Sequence, residues 1–151
     1  MSASLRFLLA LLVLVVLVSG GFYVSDRLRP TAAAPAQAQA GLPRTKPTVA
    51  GLYQVSIEPE NATVPQGELH AWVLTLRTPD GKAVDGAEIA VDGGMPAHNH
   101  GLPTSPKVTA ALGEGRYRID GVRFNMGGRW ELRFAISGAA GTDAVAFDLD
   151  V

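Results

Sequence analysis

The chain has 151 residues, which is enough for one small domain and an N-terminal segment. It carries 13 basic and 14 acidic residues with no basic patch, so it lacks the positive charge that nucleic-acid binding needs. It has no cysteine, which excludes disulfides, thiolate zinc sites and cysteine nucleophiles.

Residues 1–25 are dominated by an uncharged apolar run over residues 7–24. This run approaches the ~20 apolar residues with which a helix crosses a bilayer core. It is open to two interpretations: an uncleaved signal anchor, or a signal peptide cleaved at the small residues 18–20. We predict the anchor, because Tyr23 extends the run with a residue that suits the membrane interface. The expected location is the inner membrane, single-pass, with the C-terminal domain in the periplasm; cleavage would instead give a secreted protein.

Residues 26–50 form a linker rich in proline and alanine. Between residues 30 and 49 the chain has few large apolar side chains and no period, so burial cannot offset the entropy lost on ordering. Repeated prolines make such a stretch extended and semi-rigid. We expect it to hold the following domain away from the membrane.

Residues 51–151 show short runs in which apolar and polar residues alternate, separated by turn residues. This pattern predicts an all-β fold, an immunoglobulin-like β-sandwich of about seven strands. Trp72, on the second strand, is the predicted centre of the core. The predicted strands cover residues 53–57, 68–77, 87–91, 108–112, 116–122, 129–136 and 144–151.

All three histidines of the chain lie in this domain, at His70, His98 and His100. His98 and His100 belong to a segment, residues 94–103, whose glycines and prolines favour a fixed extended loop. In extended backbone the two imidazoles share a face and could bind one metal ion. His70 lies on the same strand face as Trp72 and is expected to point inward at a strand end. The simpler alternative is that these histidines are structural hydrogen-bonding groups.

Two methionines, Met95 and Met126, also fall near predicted strand ends. Either one alone is an ordinary core or loop residue. Imidazole binds copper, zinc and nickel, whereas thioether sulfur favours Cu(I), so a cysteine-free His/Met set indicates copper before zinc. The predicted metal site is His70, His98, His100 and Met126.

Two motifs in the domain resemble the YtkA-like domain, a family related to FixH-like proteins. They read Met-Pro-x-His-x-His over residues 95–100 and Phe-x-Met-x-Gly-x-Trp over residues 124–130. The resemblance extends over roughly residues 51–151 and implies a small extracytoplasmic β-sandwich, in proteins that are membrane-anchored or fused to efflux components. FixH-like proteins are linked to cytochrome oxidase assembly and copper supply. The matching positions carry over as His98, His100 and Met126, and His70 also suits the pattern.

These features together predict a membrane-anchored module that binds or delivers copper in support of metalloenzyme or oxidase assembly. The expected partners are the inner membrane and a metalloprotein or oxidase-assembly protein, with no nucleic acid. The alternative is a protein-interaction module without metal. An enzyme is not expected, because the chain has no nucleophile elbow, phosphate-binding glycine loop or HExxH motif.

Overall fold

The computed structural model of the chain describes residues 44–151, which form two antiparallel β-sheets. The predicted anchor and most of the predicted linker lie outside the described residues. Within residues 44–151, no helix has the length and apolar character needed to cross a membrane.

The first sheet has five strands and the second has four. The first consists of β1 (Thr45–Pro47), β2 (Gln54–Pro59), β3 (His70–Arg77), β7 (Arg116–Val122) and β6 (Lys107–Gly113), in that order. The second consists of β5 (His100–Gly101), β4 (Glu88–Met95), β8 (Arg129–Gly138) and β9 (Gly141–Asp150), in that order. All neighbouring strands within each sheet pair antiparallel.

The alternation of apolar and polar residues in the sequence matches the alternation of buried and exposed side chains along the strands. Along β8, every second side chain from Trp130 to Ile136 is buried, while Arg133 and Ala135 between them face solvent. The inward faces of the two sheets enclose one core, in which Trp72 is 1% exposed. The predicted all-β sandwich and the predicted position of Trp72 are therefore confirmed, and each of the seven predicted strands coincides with a strand of the structure.

Two strands were not predicted, β1 and β5. β1 lies within the last residues assigned to the linker, so the folded domain begins earlier than residue 51. Three residues are too few to show a period of two, and a strand that contains Pro47 is possible only at a sheet edge, where β1 lies. β5 has only two residues and gives no pattern either.

Asp143 lies on β9, an edge strand of the second sheet, and forms hydrogen bonds with residues at the start of the domain. Its carboxylate accepts hydrogen bonds from the backbone amides of Ala50, at 3.0 Å, and Leu52, at 3.2 Å. Burial alone would raise the pKa of Asp143, but hydrogen bonds from Thr48 and from backbone amides outweigh it and hold the pKa at about 2. The ammonium of Lys46 donates to the carbonyl of Ala146 at 3.0 Å. These bonds cover part of an edge that would otherwise be open to pairing with another chain.

Candidate metal site

Three loops meet at one end of the sandwich, and we call it the histidine end. They comprise residues 60–69, 96–106 and 123–128. The register places them together, because β3 begins opposite the end of β7 and β4 ends opposite the beginning of β8. The amide of Gly67 donates to the carbonyl of Phe124 at 2.7 Å, which ties the first loop to the third.

His98 and His100 are close together at this end, but not for the predicted reason. The loop is not extended: residues Pro96–His98 form a 3₁₀ turn, and Asn99 follows in the left-handed region with φ 53°. Pro96 presets the φ of the first helical position, and asparagine tolerates the left-handed conformation that ends the turn. The two imidazole centroids still lie only 6.1 Å apart. A ring-centroid separation of this size is compatible with two imidazoles that bind one ion at metal–nitrogen distances of about 2.0–2.1 Å.

The His100 ring is held in one orientation. Its Nδ1 lies 3.0 Å from the carbonyl oxygen of Gly101 and, since a carbonyl only accepts, Nδ1 is the donor. The ring also meets the edge of Trp130 with centroids 5.4 Å apart. In the neutral imidazole the lone pair is then on Nε2, and this atom is buried without a hydrogen-bond partner among residues 44–151. Histidines that bind metals are commonly oriented in this way, by donating the other ring N–H to a backbone carbonyl.

His70 begins β3 and points inward, as predicted, with 8% of its surface exposed. Its Nδ1 donates to the carbonyl of Glu68 at 3.1 Å, which leaves the lone pair on Nε2. That Nε2 is also buried, and in the described part of the chain it has no partner. Burial lowers the pKa of His70 below its ordinary value, and the bond to Glu68 only partly opposes this shift. His70 is therefore a neutral imidazole at neutral pH.

A row of ring contacts separates His70 from the other two histidines. Phe124 packs against His70 with centroids 5.3 Å apart and against Trp130 at 5.2 Å, and Trp130 in turn contacts His100. Across residues 44–151, no three His, Cys, Asp or Glu side chains come close enough to hold a single ion. Of the predicted set, the structure thus brings His98 and His100 together and places His70 beyond Phe124.

The predicted sulfur ligand, Met126, lies in the loop of residues 123–128 with 38% of its surface exposed. Its carbonyl accepts a hydrogen bond from the indole Nε1 of Trp130 at 3.0 Å, so its backbone is joined to the residue that packs on His100. Its role as a ligand stays a prediction.

Met95 is a core residue that was not included in the predicted metal site. It ends β4, is 2% exposed, and pairs directly with His100 across the β4–β5 ladder. The signal was present in the sequence, because the inward series Ile89, Val91 continues in steps of two to Met95. A thioether side chain therefore adjoins His100.

The chemistry available here is that of neutral donors. Imidazole nitrogen and thioether sulfur both bind copper as uncharged ligands. A buried Nε2 without a partner is costly for the fold, and a bound ion would satisfy it.

A family model described as YtkA-like matches residues 48–135, which is more than half of the chain. The matched residues include all three histidines and both methionines of the domain. No curated protein and no solved structure matches the chain. The extent of the family match, together with the two-sheet fold, shows that the chain belongs to the YtkA-like family.

Proposed function

We propose that this domain is an extracytoplasmic copper-binding module that delivers copper to a metalloenzyme, such as an oxidase, during its assembly. The observation that carries the proposal is the His98–His100 pair. Its rings are 6.1 Å apart, and the Nε2 of His100 is oriented and buried, with no partner within residues 44–151. Such a nitrogen is a ligand atom positioned in advance.

Copper fits these donors better than zinc does. Structural zinc sites close a tetrahedron with cysteine, histidine or carboxylate, whereas residues 44–151 offer no third such group beside the pair. Copper accepts imidazole and, as Cu(I), thioether sulfur, which the two neighbouring methionines can provide. The role of His70 and Met126, the other two predicted ligands, stays a prediction, and the proposed site does not require either of them.

The N-terminal run over residues 7–24 supports a placement at the inner membrane with the domain in the periplasm. We also propose that the two sheets are connected as in immunoglobulin-like domains, and that the chain is related to FixH-like proteins. We expect the protein to stay in membranes washed at alkaline pH, with the domain open to protease added outside the cytoplasm. A mature form released by the wash would favour the cleaved signal peptide.

Copper titration of the full chain in detergent micelles tests the function directly. We expect one equivalent of Cu(I) to be withdrawn from a chromophoric chelator, and one equivalent of Cu(II) to give an electron paramagnetic resonance signal with nitrogen coupling. Zinc, offered at the same concentration, should compete poorly. Acidification should weaken binding, because protons compete for the same nitrogens. If the chelator keeps all its copper, the domain does not carry this metal.

The alternative function is a protein-interaction module with structural histidines. It is favoured by His70, whose ring packs between Trp72 and Phe124 and whose Nδ1 is satisfied by Glu68. The same titration separates the two functions, because an interaction module would take up no stoichiometric copper.

A further inference from the structure

We propose that Met95, rather than Met126, supplies the sulfur ligand, and that it forms with His100 a buried Cu(I) site across the β4–β5 strand pair. This inference rests on the proposed copper function and deepens it, because it assigns the ligand pair and the oxidation state that the site prefers.

The strand register brings the two side chains together. Met95 and His100 are direct partners in an antiparallel ladder, and directly opposed side chains lie on the same face with Cβ atoms about 4.5–5.5 Å apart. Met95 faces the core, so His100 faces it too, in agreement with its buried Nε2 and its contact with Trp130. A thioether and an imidazole nitrogen are thus neighbours at a position that is largely shielded from solvent.

Three glycines allow this arrangement. A Cβ on Gly94 would meet the carbonyl oxygen of His100, and a Cβ on Gly93 would meet that of Glu131, so β5 and β8 can approach β4 only because neither side chain exists. Gly128, with φ 122°, faces the methyl group of Met95, which would be 3.0 Å from a Cβ there. The backbone around Met95 therefore leaves space for its long side chain and holds His100 beside it.

The environment selects the oxidation state. The free-energy cost of transferring an ion into an apolar region rises with the square of its charge, and neutral ligands do not offset the second charge of Cu(II). Thioether sulfur adds its own preference for Cu(I). We therefore expect the pair of Met95 and His100 to hold Cu(I) more tightly than Cu(II).

Met126 is a weaker choice for the same role. Its side chain is 38% exposed, and the structure fixes its backbone through the Trp130 indole without fixing the sulfur. It serves as the matched control, since Met95→Leu and Met126→Leu make the same chemical change at two methionines of one end of the sandwich. Both substitutions nearly conserve volume.

The test is a Cu(I) competition titration of the full chain with these two variants. We expect Met95→Leu to weaken Cu(I) binding by more than about tenfold, because even the loss of a residue that only supports a metal ligand can reduce affinity by that much. Met126→Leu should leave Cu(I) affinity within about twofold of that of the unsubstituted chain. X-ray absorption of the selenomethionine-labelled, Cu(I)-loaded protein gives a second measurement. Copper–selenium scattering should persist in Met126→Leu and disappear in the Met95→Leu/Met126→Leu double variant, which keeps only Met1.

Each outcome decides something. Loss of Cu(I) in Met126→Leu with retention in Met95→Leu would overturn this inference while the copper function stands. Failure of the unsubstituted chain to bind either Cu(I) or Cu(II) would remove the copper function itself, whereas binding of Cu(II) alone would overturn only this inference. If leucine at position 95 prevents folding, the labelled Met126→Leu protein still decides, because absence of selenium scattering there would exclude Met95 as a ligand.

Discussion

Replacing His98 and His100 together by asparagine should abolish copper binding while leaving the domain folded. His98 is exposed, and His100, although its ring contacts Trp130, is only partly buried and lies on a two-residue edge strand, so asparagine at both positions should leave most of the core intact. Both potential nitrogen ligands of the proposed site disappear in this variant. Chelator competition on the full chain measures the loss, and circular dichroism checks the fold.

The two single histidine variants should weaken copper binding to different degrees. His100→Asn should weaken binding more than His98→Asn, because only His100 has its Nδ1 fixed by Gly101 and its Nε2 buried. His70→Asn is the matched control, since it removes the chain's third imidazole from a position beyond Phe124. We expect it to retain copper. If His70→Asn loses as much copper as the double variant, His70 belongs to the site; if the double variant binds like the unsubstituted chain, the pair is not the site.

Trp72→Ala should destabilise the domain by about 3–5 kcal/mol, the range for removing a large buried aromatic side chain. Trp72 is 1% exposed and lies in β3 between Pro59 of β2 and Ile119 of β7. Its indole Nε1 has no hydrogen-bond partner among the described residues, so the loss is one of packing rather than of hydrogen bonding. A domain of this size has only about 5–15 kcal/mol of stability in total, so the variant should be close to unfolding.

Urea unfolding followed by far-ultraviolet circular dichroism measures this change without depending on tryptophan emission. Trp72→Phe is the matched control and should cost much less, because most of the buried aromatic volume remains. A loss below about 1 kcal/mol for Trp72→Ala would show that the cavity collapses or that Trp72 is not central to the core.

The long strands could be predicted from the sequence because their inward side chains repeat every second residue. Trp130, Leu132 and Phe134 are one such series, and all three are buried. β1 and β5 could not be predicted, since two or three residues show no period. The 3₁₀ turn of the histidine loop had a signal in Pro96, but the prolines and glycines around it were interpreted as extended backbone.

The candidate site was predictable in its local part only. His98 and His100 are two residues apart, so they stay near each other whether the loop is extended or turned. The prediction that they form a close pair is therefore confirmed, although the predicted extended backbone was wrong. The position of His70 depends on how two sheets pack around Phe124, which is a non-local property that no spacing along the chain reveals. Met95 gains its place beside His100 from a strand pair that was itself not predicted.

The row of rings at the histidine end also gives each region its own optical reporter. The chain has two tryptophans, and each contacts a different histidine: the ring of Trp72 is 6.3 Å from that of His70, and the ring of Trp130 is 5.4 Å from that of His100. Their indole N–H groups differ as well, since that of Trp130 is bonded to Met126 and that of Trp72 is unpaired within residues 44–151. Fluorescence of single-tryptophan proteins, made by Trp72→Phe or Trp130→Phe, can therefore distinguish an ion quenching emission beside His100 from a proton arriving at His70.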